Sequence, residues 1–99
     1  MAWTPLSPPR PIAGTGQNLT VGASSVSSTA VGSETQMVRL SATTNCHVRT
    51  GNGTVTAVAT DMLIKTTDGP LIIGIGPGDK IAVIEDSAAG VLNIVEMTY

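Results

Sequence analysis

From residue 37 to residue 99 the chain is a series of short apolar runs cut by glycine, aspartate and asparagine, the pattern of a small all-β domain. Val38, Leu40 and Ala42 alternate with Met37, Arg39 and Ser41, the period of two that marks a strand with one face inward. A turn at Thr44-Asn45 leads into a strand on which Cys46 and Val48 point one way and His47 and Arg49 the other. Gly51-Asn52-Gly53 then reads as a hairpin signal. Residues 54–59 form a predicted strand of small side chains, and residues 61–66 another, closed by a turn at Thr67-Asp68-Gly69-Pro70. Residues 71–75 are almost continuously apolar, as in a strand covered on both faces. Gly76-Pro77-Gly78-Asp79 turns into residues 80–85, and residues 86–90 turn into a last strand over 91–98. Strand and turn recurring every 8–12 residues or so is the spacing of small sandwiches and barrels. The predicted fold is all-β: an antiparallel β-sandwich or barrel of jelly-roll or immunoglobulin-like size, with no substantial helix.

The N-terminal third is written differently. Residues 1–16 hold four of the six prolines, and proline-rich sequence favours an extended conformation with few backbone donors. This segment is predicted to be an extended arm. Residues 17–36 are rich in Ser, Thr, Gly and Val, which disfavours helix and leaves a tether or one or two weak strands. The compact core is assigned to residues 37–99. A domain of about 60 residues buries only about 60% of the surface its unfolded chain exposes, so it commonly depends on a metal, a disulfide or a partner. One cysteine excludes an intrachain disulfide and one histidine makes a poor metal site, which leaves association. Only 12% of residues are charged while 41% are hydrophobic, so a partner is expected to cover part of the surface. We expect a homo-oligomer, a dimer or trimer.

Few residues offer chemistry. The net charge of −2 and the scattered Lys and Arg argue against nucleic acid. Gly74-Ile75-Gly76-Pro77-Gly78 has the look of a phosphate loop, but a strand and not a helix follows it, and Pro77 lacks a donor. Adjacent residues on a strand face opposite sides, so Cys46 is expected buried beside an exposed His47, with no catalytic pair and no metal site. Asp68, Asp79 and Asp86 fit turn chemistry, and no turn gathers enough oxygens for calcium. No catalytic, cofactor-binding or metal-binding residue is assigned, and no cofactor is expected. Residues 1–11 carry neither the apolar stretch of a signal peptide nor a membrane span, so synthesis in the cytoplasm without a membrane partner is the expectation. Trp3 is the exception among these residues. Tryptophan is a favoured interface anchor, and a stiff proline-rich segment loses little entropy on docking, so Trp3, Leu6 and Ile12 are the candidate contacts of the arm with a neighbouring subunit. A disordered tail is the alternative.

The run Val38-Arg39-Leu40-Ser41-Ala42-Thr43-Thr44-Asn45-Cys46-His47-Val48-Arg49-Thr50-Gly51, the later Pro77-Gly78-Asp79-Lys80-Ile81-Ala82-Val83-Ile84 and the closing Gly90-Val91-Leu92-Asn93-Ile94-Val95-Glu96-Met97 resemble the small β-sandwich virion proteins of tailed bacteriophages. The resemblance leaves out the arm. It implies a noncatalytic structural protein of the virion, most similar to capsid decoration or cement proteins, whose partner is the major capsid protein or another virion protein. A minor tail or head-to-tail component, and a small receptor- or glycan-binding module, are the alternatives.

Overall fold

A computed structural model describes residues 9–99 and shows an all-β chain. Its nine strands are β1 (Arg10–Pro11), β2 (Gln17–Val21), β3 (Val26–Ser27), β4 (Met37–Ala42), β5 (Cys46–Gly51), β6 (Met62–Ile64), β7 (Leu71–Gly74), β8 (Lys80–Glu85) and β9 (Gly90–Thr98). A single 3-10 turn, Thr66–Asp68, joins β6 to β7; Asp68 accepts the N–H of Lys65 on its own side chain at 3.1 Å, and Gly69 takes a positive φ of 72° to leave the turn.

The pairing has a simple logic. β5 pairs with β6, β4 with β7, β3 with β8 and β2 with β9, all antiparallel, so residues 17–98 form one long hairpin doubled back between β5 and β6. The hairpin is wound on itself until β9 also meets β4 and β8 also meets β5. Two sheets result. One runs β9-β4-β7, with β1 and β2 sharing the outer flank of β9, and the other runs β3-β8-β5-β6. β9 lies at the centre of the first sheet: β4 takes one side along residues 92–97, and β2 and then β1 take the other.

Strand alternation supplies the core between the sheets. Val38 and Leu40 of β4, Cys46 and Val48 of β5, Ile81 and Val83 of β8, and Leu92 and Ile94 of β9 all belong to one buried cluster. Leu19, Val21 and Val31 join it, so the core does not begin at residue 37. The segment read as a tether or weak strands contains β2 and β3, and Arg10–Pro11 within the segment read as an arm is paired with Thr98 and Met97.

Two expectations are corrected. Residues 54–59 are not a strand; Ala57 within them is buried and its N–H is held at 2.9 Å by Ser25 Oγ beside β3. Thr54, Val55, Thr56 and Val58 favour strand, but propensity alone does not supply a pairing partner. β7 is not covered on both faces. It is an edge strand paired only with β4, its Leu71 and Ile73 pack on the core, and Ile72 remains 47% exposed.

Candidate functional site

Two polar constructions stand out from the apolar core. The first surrounds His47. Its neighbours in sequence, Cys46 and Val48, face the core, so its ring is on the outer face of β5, where exposure was expected. It is 8% exposed instead. The loop that carries Asp61 and the turn that carries Asp86 close over it: Nδ1 lies 3.0 Å from the Asp61 carbonyl oxygen and Nε2 lies 2.9 Å from Asp86 Oδ1. Both ring nitrogens therefore face an acceptor, and only the imidazolium can donate to both. The Asp61 carbonyl, followed by the Asp86 carboxylate, raises the pKa of His47 above its usual 6.5. Asp61 is itself held by the N–H of Val58, at 2.8 Å, and by Arg49, whose Nε and terminal nitrogen both lie 3.0 Å from Oδ1. The Val58 N–H, and after it Arg49, lower the Asp61 carboxyl below its usual range against the opposing effect of desolvation. Chemically this is a clamp, since both ring nitrogens are engaged. The Cys46 thiol lies on the opposite side of the sheet, where burial raises its pKa.

The second construction is a cleft of about 220 Å³ at the end of the first sheet, lined by Ile12, Thr15, Gly32, Glu34, Thr35 and Glu96 among others. Glu96 follows Leu92 and Ile94 in the inward row of β9, yet it is a carboxylate that is only 7% exposed. The loop of residues 32–35 makes this tolerable. Glu96 Oε1 accepts the N–H of Gly32 at 2.8 Å and the hydroxyl of Thr35 at 2.5 Å. No hydrogen bond reaches Oε2 among the described residues. The backbone of Glu96 is held from the other side, its carbonyl accepting the Ile12 N–H at 2.8 Å and its N–H donating to Thr15 Oγ1 at 3.2 Å.

The candidate residues named from sequence fall as follows. Trp3 and Leu6 lie outside the described residues. Ile12 is half-buried, tied to its own chain and part of the cleft wall. The Gly74–Gly78 stretch spends its donors on its own turn and on the neighbouring loop: Gly76 N–H donates to Asp79 Oδ2, Asp79 N–H to the Gly76 carbonyl and Gly78 N–H to the Val31 carbonyl. Asp68 and Asp79 serve their turns, while Asp86 reaches beyond its turn to His47. Among the described residues no group of three or more His, Cys, Asp or Glu side chains is placed to hold a metal. Sequence reasoning missed Glu96, although the period-two row 92, 94, 96 points to it. It also missed the cover over His47, which depends on two loops with no local signature.

No family model matches the chain, and comparison with curated proteins and with solved structures yields no match.

Proposed function

We propose that this chain is a noncatalytic structural protein of a bacteriophage virion, most specifically a capsid decoration protein that binds the shell as a homo-oligomer. The observation that supports this reading is the path of the chain. Eight strands wound as a folded ribbon into sheets ordered β2-β9-β4-β7 and β3-β8-β5-β6 follow the jelly-roll scheme, which recurs in viral capsid domains and in lectins. Of these two uses, the scarcity of aromatic residues disfavours the sugar-binding one: the sequence has one Trp, one Tyr and no Phe. Apolar side chains on the edge strands, Met62, Leu63 and Ile72, are 44%, 39% and 47% exposed, consistent with a protein that works against other protein surfaces. Repetition over a lattice turns weak single contacts into firm attachment, so such a protein requires no deep pocket.

Counting the polypeptide in purified particles against the major capsid protein, by quantitative mass spectrometry, tests the reading. Hundreds of copies per particle are expected. A handful would move the protein to the tail or the portal vertex, and absence from the particle would overturn the virion role.

A further inference from the structure

We propose that two copies of this chain join at β7, the strands pairing antiparallel about a two-fold axis centred on Ile73, so that the first sheet of one copy runs on into the first sheet of the other. This rests on the self-association included in the proposed function and specifies the strand that makes it.

The backbone at this edge is the first ground. Among the described residues β7 has β4 on one side and no strand on the other. The Ile75 N–H donates to the Gln36 carbonyl just before β4, and the Thr43 N–H just after β4 donates to the Val91 carbonyl beside it on β9. Bonded and non-bonded pairs alternate along an antiparallel ladder, so Leu71 and Ile73 turn their backbone groups toward β4 while Ile72 and Gly74 turn theirs outward. The outward groups stop there in both directions. Pro70 has no N–H, and the Gly76 N–H is spent on Asp79 Oδ2 at 3.2 Å. An antiparallel second copy meets all of them in one register only, with Ile72 opposite Gly74 of the second copy and Gly74 opposite Ile72 of the second copy.

The side chains fit the same register. Ile72 is 47% exposed on the outer face, and a Cβ on Gly74 would meet nothing within 4 Å, so the isoleucine of each copy covers the bare glycine of the other. On the inner face Leu71, Ile73 and Ile75 pack against the core yet are only half-buried. In the paired strands Ile73 faces Ile73 and Leu71 faces Ile75, which continues the apolar row of one copy into that of the other.

Charge selects a second copy as the occupant. A two-fold axis brings like groups together, and edge strands are commonly kept apart by lysine or by proline within the strand. Residues 69–78 hold no charged side chain, and β7 itself holds no proline. Arg39, opposite Ile72 on β4, would stand three strand spacings, about 14 Å, from its copy. That exceeds the screening length of about 8 Å at physiological salt.

Sedimentation equilibrium of the intact isolated protein should give the mass of a dimer. Ile72→Lys puts a charge at an already exposed position, so it should halve that mass and leave the circular dichroism spectrum unchanged; Val91→Lys, at a position of β9 that is 38% exposed, should keep the dimer. Ile72→Cys protein mixed with Gly74→Cys protein should form a disulfide between copies on oxidation, because bonded partners lie about 5.5 Å apart at Cα, within disulfide reach. Each variant alone should cross-link far less, and the native Cys46 is buried away from the edge. The mass of a single chain at all concentrations, or cross-linking no greater in the mixture than in either variant alone, would overturn the proposal. A dimer that survives Ile72→Lys would overturn pairing at β7 and leave self-association standing. A single chain whose Ile72→Lys variant no longer attaches to particles would give the edge to a shell protein and overturn the second copy as occupant, while the particle count decides the virion role separately.

Discussion

At His47 a single ring connects three pieces of chain, β5 beneath it, Asp61 in one loop and Asp86 in another turn. Because an acceptor faces each nitrogen, the protonated ring makes two hydrogen bonds and the neutral ring makes one and meets a lone pair with the other. The folded pKa is raised, so the stabilisation from this residue is fully present below the unfolded value near 6.5 and is lost as pH rises through the higher folded value. Asp61 works in the opposite sense: its lowered pKa gives a contribution that is present above its usual 3.8 and lost as pH falls through the folded value, so it does not titrate between pH 5.5 and 8. Thermal unfolding should therefore give a higher Tm at pH 5.5 than at pH 8, and His47→Ala should reduce most of that difference. A pH difference unchanged in the variant would show that the ring does not act as the clamp described. Burial of His47 was not legible in the sequence, where the alternation of Cys46 and Val48 assigns it correctly to the outer face and nothing local announces that two distant segments will cover that face.

Among the elements, β9 carries the most. It is the longest strand, it pairs with β1, β2 and β4, and its first residue must let β4's exit turn pass. A Cβ at Gly90 would stand 2.6 Å from Thr44 Cγ2 and 2.7 Å from Thr43 Oγ1, closer than side chains approach, and Thr43 is fixed by a backbone hydrogen bond to Val91 and by accepting the Val91 N–H on Oγ1. Gly90→Ala should cost about 1–3 kcal/mol, the usual penalty of overpacking, read from a lowered denaturant midpoint at unchanged slope. Gly74→Ala on β7, where the Cβ meets nothing within 4 Å, serves as the control. The core rows of β4, β5, β8 and β9 were legible because inward-facing residues recur with a period of two, even where the outer face is also covered, as at Ala82 and His47. β7 misled because Leu71-Ile72-Ile73 has the same apolar letters whether a strand is central or at an edge, and residues 54–59 misled because the β propensity of threonine and valine does not by itself supply a pairing partner. At the candidate cleft, the 92, 94, 96 row was readable, but its polar partners in residues 32–35 lie more than 60 positions earlier and share no pattern with it.

For the whole molecule, the core reaches back to β2 and does not begin at residue 37. Leu19 and Val21 are buried in the common core, and β2 forms one side of the pairing of β9. Removing residues 1–21 should abolish cooperative unfolding, read by circular dichroism on the truncated chain. A surviving transition in the chain lacking residues 1–21 would mean that the rest folds without β2. The ribbon also has a consequence for how the protein is made. Gln17 waits for Ile94, and every strand from β2 to β4 waits for a partner on the far side of the β5–β6 bend. With a ribosome adding about 5–20 residues each second, β2 emerges several seconds before its partner exists, and the first sheet lacks its central strand until β9 is out. A product cut short before Gly90 should therefore lack the first sheet in native form, leave the core face of the second uncovered and remain exposed to proteases, so that the fold itself checks that translation has run through β9.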